Sequence, residues 1–86
     1  MTEQQIQAKI TKHLESEGWF VVKLIKTNKN GIPDLMALRN GVTRFIEVKR
    51  PKVGKLSEIQ KYRIKELKEQ GFDVDVWEGI NEKFLY

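Results

Sequence analysis

The stretch Gly31-Ile32-Pro33-Asp34-Leu35-Met36-Ala37-Leu38-Arg39-Asn40-Gly41-Val42-Thr43-Arg44-Phe45-Ile46-Glu47-Val48-Lys49 decides how this chain folds. Asn-Gly is the strongest short hairpin signal, because a tight two-residue turn needs positive φ at both positions and these residues tolerate it. The flanking segments, Asp34 to Arg39 and Val42 to Lys49, are strand-like in composition. With Arg39 facing Val42 across the turn, counting back along both strands places Asp34 directly opposite Glu47.

That pairing carries chemistry. Opposed residues have Cβ atoms roughly 4.5–5.5 Å apart, and two like charges at that spacing destabilise a sheet unless something compensates. A hard divalent cation, Mg²⁺ or Mn²⁺, is the natural compensator, since it takes carboxylate oxygens and leaves positions for water and phosphate. A bulge would shift the register and separate the two acids, so a clean ladder is required. Lys49 lies two residues beyond Glu47 and so points the same way, while Ile46 and Val48 point to the opposite, apolar side. Two acids and an amine around a cation suit metal-assisted hydrolysis of a phosphodiester.

Outward from the hairpin, Thr2-Glu3-Gln4-Gln5 has capping-box spacing, and Ile6, Ile10 and Leu14 recur at helical intervals until Gly18. A helix is expected over about residues 3–17. Trp19 to Ile25 is aromatic and β-branched, as expected of a mostly buried strand, and residues 27–31 read as a polar loop. Beyond the hairpin, Pro51 to Lys55 reads as a basic loop. Ser57-Glu58-Ile59-Gln60 is a second capping box, opening a helix that ends near Gln70 with Gly71 as its stop. Phe72 to Glu78 alternates Val74 and Val76 with Asp73 and Asp75, the pattern of a last strand with one solvated face. Asn81 to Tyr86 reads as a short helical turn. The order α-β-β-β-α-β, without repeats or linker, predicts one α/β (α+β) domain over residues 1–86, a mixed sheet flanked by helices.

Composition narrows the functions. Cysteine is absent, which removes disulfides, thiolate zinc sites, iron–sulfur clusters and a cysteine nucleophile. Met1 to Gln5 holds no apolar signal core and no run is long enough to span a bilayer, so a cytoplasmic protein without membrane contact is expected. The net charge of +4 favours a polyanionic partner. The charge is also clustered: Lys49, Arg50, Lys52 and Lys55 lead out of the hairpin, and Lys61, Arg63, Lys65 and Lys68 follow. The first group is expected to touch a DNA backbone, with Lys23, Lys26 and Lys29 as a candidate extension of that surface. A face of solubilising charge is the competing reading.

Gly31-Ile32-Pro33-Asp34, followed after twelve residues by Glu47-Val48-Lys49, resembles the PD-(D/E)XK nuclease motif. With Lys52 to Gln60 and then Gly71, the chain resembles the VRR-NUC (virus-type replication-repair nuclease) branch of that superfamily over nearly its whole length. The resemblance implies a restriction-endonuclease-like core and a divalent-metal-dependent DNA endonuclease. It also implies structure-specific action on branched or junction DNA in replication and repair, in short phage-type members working as homodimers without a small-molecule cofactor. By position, Asp34 and Glu47 would bind metal, the Val48 backbone carbonyl would be a further ligand, and Lys49 would be the catalytic lysine. Gln60 matches a glutamine at the start of the second helix, and Glu3 an acidic residue on the first helix that some members use near the metal.

The helical wheel bears on both outliers. Glu3 falls within about 20° of Ile10 and Leu14, which sets it on the core-facing stripe. Gln60 falls between Leu56, Ile64 and Leu67, where an apolar residue is ordinarily found. Each has a second reading: an acid in the first turn is favoured by the helix dipole, and Gln60 closes the Ser57 capping box. His13 stands alone in the chain and reads as structural. Trp19, Phe20, Phe45 and Trp77 read as core or interface aromatics. The alternative to an enzyme is a catalytically inactive, basic DNA-binding module of the same fold, which would have no need of a second carboxylate facing the first.

Overall fold

A computed structural model describes residues 1–79 of the chain; the turn expected over Asn81 to Tyr86 lies outside the described residues. The elements run α1 (Glu3–Ser16), β1 (Phe20–Lys23), β2 (Leu35–Arg39), β3 (Val42–Val48), α2 (Glu58–Glu69) and β4 (Asp73–Trp77). The sheet has four strands in the order β1-β2-β3-β4, antiparallel throughout except that β4 runs parallel to β3. The α-β-β-β-α-β order and the mixed sheet are as the sequence predicts.

The hairpin register holds. Arg39 pairs with Val42 and Leu35 with Ile46, with no bulge between. Asn40 at φ 49° and Gly41 at φ 79° occupy the left-handed region that a two-residue hairpin turn demands. Both helices open with complete capping boxes: Thr2 and Ser57 accept from the backbone N–H of Gln5 and Gln60, whose side chains accept in return from the cap residues' own N–H.

One face of the sheet is fully covered. Ile6, Ile10 and Leu14 of α1 pack on Leu35 and Ala37 of β2, Ile46 and Val48 of β3 and Trp77 of β4, with Trp19 and Val21 at the margin. The other face is covered less. Helix α2 packs on β4, none of its residues is fully buried, and Phe45 and Phe72 meet edge to face at 5.8 Å between centroids.

Two sequence expectations fail for reasons of sheet order. The Trp19 to Ile25 segment is not a mostly buried strand: only Phe20–Lys23 pairs, on the outer edge of the sheet, leaving Phe20 67% and Ile25 81% exposed. Aromatic and β-branched residues fit a pleated surface at an edge as well as at the centre. Nor does β4 have the solvated face expected from its alternating aspartates. Asp73 is exposed, but Asp75 is half-buried and accepts from Arg44 of β3 at 3.1 Å. Arg44 in turn lies over the rings of Trp19, at 5.1 Å, and Trp77, at 6.0 Å.

Candidate active site

The site lies where the open end of the β2–β3 hairpin meets the first turns of α1 and α2. Asp34 sits one residue before β2, and its backbone carbonyl accepts from the Leu24 N–H at 2.8 Å, so the end of β1 braces it. Its Oδ2 accepts from the Val48 N–H of β3, also at 2.8 Å. The ladder bond that another strand residue would have made here is thus replaced by a side chain.

This bond also orients the Val48 carbonyl. A strand residue sends its N–H and C=O to the same side, so the Val48 carbonyl leaves on the Asp34 side. The next residue faces the other way: the Lys49 N–H donates to the Trp77 carbonyl of β4 at 3.0 Å.

Glu47 is 1% exposed. Burial pushes its carboxyl up from the ordinary 4.5 to about 8, with the neighbouring Asp34 charge and a hydrogen bond to Asp34 adding to the rise, the Lys49 ammonium opposing it and Glu3 contributing a little more. Lys49 Nζ stands 3.6 Å from Glu47 Oε2, and Gln60 Nε2 donates to the same oxygen at 3.2 Å. Gln60 therefore combines both roles considered for it, since its Oε1 closes the capping box at 2.9 Å from the Ser57 nitrogen. Glu3, half-buried in the first turn of α1, acts on Glu47 at longer range, and no group of three acidic or histidine side chains forms a ready metal cage among the described residues. The oxygens that could hold a hard cation are therefore those of Asp34, Glu47 and the Val48 carbonyl, completed by water or phosphate.

The expected DNA-contact residues fall on two sides of this centre. Lys26 and Lys29 line a polar cavity of about 340 Å³ that Asp34 also lines. Arg50, Lys52 and Lys55 are exposed along the loop that follows Lys49, where Lys52 takes a left-handed φ of 68° and the Gly54 N–H donates to the Arg50 carbonyl.

Three contributors escaped the sequence reading. Arg63 donates through Nε to the Asn30 carbonyl at 2.8 Å, tying the loop before Asp34 to α2. Gly31, at φ 78°, passes so close to Ile59 that an added Cβ would meet its backbone at 2.9 Å. Gln7 of α1 is 7% exposed with its Oε1 unpartnered, and it lines a cavity together with Asp34. The Gly31 requirement was visible only as the glycine before Ile32-Pro33-Asp34, and nothing local marked Arg63. Gln7 falls on the wheel about 40° from Glu3 and was there to be found.

His13 is half-buried, 3.6 Å from Glu17 and 6.5 Å between centroids from Trp77, on the far part of α1 from the acids. No helix among the described residues is long and apolar enough to cross a membrane.

A family model for the VRR-NUC domain matches residues 1–81. Among solved structures, a VRR_NUC domain superposes with a TM-score of 0.77 and 31% sequence identity, over 86% of this chain and 81% of the other. No curated protein matches significantly.

Proposed function

The chain belongs to the VRR-NUC family and has its nuclease-type fold, and from that premise we propose that it is a divalent-metal-dependent endonuclease hydrolysing DNA phosphodiester bonds. The observation that carries this reading is the burial of Glu47 across from Asp34, with Lys49 beside it. A charged carboxylate held inside a protein against a second carboxylate is costly until a cation or a proton compensates it, and the unbroken β2–β3 ladder sets the two acids side by side.

The donor set fits Mg²⁺ or Mn²⁺, being all oxygen, and its Asp34 lines two open cavities. When bound, the cation supplies a more acidic water and a polarised phosphoryl group. The chain's own residues do the rest. Asp34 is held by its bond from the Val48 N–H, so its carboxylate is placed without reorganisation. Gln60 and Lys49 both address Oε2 of Glu47 and favour its charged form, opposing the burial that favours the neutral one. The Lys49 ammonium, half-buried at the mouth of the site, is placed to offset charge that develops on the phosphate. Lys26, Lys29, Arg50, Lys52 and Lys55 would contact backbone phosphates on either side; such contacts position a duplex without reading its sequence. Action on branched or junction DNA, and pairing of two copies to cut both strands, complete this reading as extensions drawn from the family.

The test is cleavage of a panel of labelled linear, nicked, flapped and four-way-junction DNA with Mn²⁺ or with EDTA. Cleavage is expected only with Mn²⁺, reduced more than about a hundredfold in Glu47→Ala and unchanged in Lys9→Ala on the exposed face of α1. Tight, salt-sensitive binding with intact DNA in every lane would instead establish the non-hydrolytic DNA-binding module.

A further inference from the structure

The loop that leads from β1 to Asp34 carries two of the lysines expected at the DNA backbone, Lys26 and Lys29. Residues 25–30 are all exposed, and the bonds they make among themselves are local, with Thr27 Oγ1 donating to the Lys29 carbonyl at 2.7 Å. An exposed polar segment with few outside contacts opens readily. Among the described residues, one hydrogen bond ties residues 25–33 to the rest of the protein: Arg63 Nε of α2 donates to the Asn30 carbonyl at 2.8 Å.

A second contact one helical turn away supports that bond. The Gly31 backbone packs on Ile59, four residues before Arg63, so neighbouring positions on one face of α2 hold two successive loop residues. The Arg63 side chain is only 18% exposed, and its Nη1 donates to Glu66 at 2.6 Å. A guanidinium holds its donors in a rigid planar fork, so the pair with Glu66 fixes the plane in which Nε meets the Asn30 carbonyl. The Arg63 charge is thereby matched, whereas Lys29 makes no ion pair among the described residues. Lys29 lines the cavity of about 340 Å³ that Asp34 lines, and also a smaller one of about 210 Å³ against Arg63 and Glu66.

We propose that Arg63 is a positioning residue for the substrate: by holding Asn30 it fixes the loop so that the adjacent Lys29 meets a DNA phosphate next to the one at Asp34. A loop ordered in advance spares the DNA the cost of ordering it on binding. The proposal rests on the DNA contact of the preceding subsection and deepens it, and it needs no hydrolysis. Arg63 itself touches no phosphate; its effect on DNA passes through Lys29.

The experiment is a double-mutant cycle on DNA affinity, read by the anisotropy of a labelled duplex in EDTA across a salt series, with thermal unfolding to establish that each variant is folded. Lys29→Ala is expected to weaken binding severalfold and to reduce the slope of log affinity against log salt by about 0.9, the share of one phosphate. Arg63→Met keeps the apolar stem and removes both hydrogen bonds, and the same loss of affinity and slope is expected of it. The double variant is expected to bind within about twofold of either single one. Arg63→Gln, too short to serve both partners, takes the place of Arg63→Met should that variant not fold. Losses that multiply in the double variant overturn the proposal, because Arg63 would then act on DNA independently of Lys29. So does a folded Arg63 variant, or a Lys29→Ala protein, with the parent's affinity and slope. A parent that shows the expected cycle yet leaves DNA whole with Mn²⁺ loses the nuclease reading alone; a parent that binds no DNA overturns both.

Discussion

The two helices begin with the same device and use it differently. Thr2 with Gln5 and Ser57 with Gln60 form capping boxes alike in residue types, backbone angles and bond pattern. Gln5 is exposed and does nothing more. Gln60 keeps its capping bond through Oε1 and spends its other end on Glu47, donating from Nε2. The difference lies in what each helix faces: at α2 the capping glutamine itself looks onto the buried acid, whereas at α1 the face turned inward carries Glu3 and Gln7. A local motif thus explains why a glutamine is present, and only the tertiary setting explains what else it does.

The largest effect that probes this asymmetry comes from Glu47, the group that Gln60 serves and Gln5 does not. Its carboxyl titrates near 4.5 in the unfolded chain and near 8 in the fold, so the folded protein binds the proton more tightly. Stability from this source is complete below about pH 4.5 and is lost as pH rises through 8. Metal-free protein is expected to lose on the order of a few kcal/mol of unfolding free energy between pH 5 and pH 9, measured by urea titration. Glu47→Gln should flatten that slope, being neutral throughout. A slope unchanged in Glu47→Gln would place the source of the pH dependence in groups other than Glu47. Mn²⁺ should stabilise the parent most at the high-pH end, since its binding displaces the same proton.

Much of this was legible in the sequence because the informative signals are local. Asn40-Gly41 admits one tight turn, and the two-residue period then carries the register back to Asp34 and Glu47 without further information. Both capping boxes are four-residue patterns and were readable for the same reason. The failures are all non-local. Phe20-Val21-Val22 has a buried strand's composition, but whether a strand lies at the centre or edge depends on the partners chosen by the rest of the chain. Asp75 alternates with valines as a solvated residue would, and becomes half-buried only because β4 lies parallel to β3 and delivers it to Arg44. Gln7 lies between the two cases: the wheel that places Glu3 on the inner stripe places Gln7 there too, but only the packed structure reveals an acceptor without a donor.

A smaller effect separates the two glutamines directly. Gln5→Ala should cost under about 1 kcal/mol of stability through the lost cap bond and leave Mn²⁺ affinity as it was. Gln60→Ala loses the same bond together with a donor to a buried carboxyl, and is expected to cost about 2 kcal/mol when Glu47 is charged and to weaken Mn²⁺ binding severalfold. Equal losses in the two variants, with equal Mn²⁺ affinity, would erase the distinction between the boxes.

The smallest effect on the site, expected to be none, is also the control that locates the cause. Thr2→Ala and Ser57→Ala each remove the hydroxyl that caps a helix, at about 1 kcal/mol apiece. Neither removes the bond from the cap residue's own backbone N–H to its glutamine, at 2.8 Å for Gln5 and 2.9 Å for Gln60. Gln60 should therefore keep both its anchor and its reach to Glu47 in Ser57→Ala, and Mn²⁺ affinity should match the parent's. If Ser57→Ala weakened Mn²⁺ binding as much as Gln60→Ala does, the contribution of Gln60 would have to come from holding the first turn of α2 in place. Its hydrogen bond to Glu47 would then be a consequence of that placement and no cause of the site's properties.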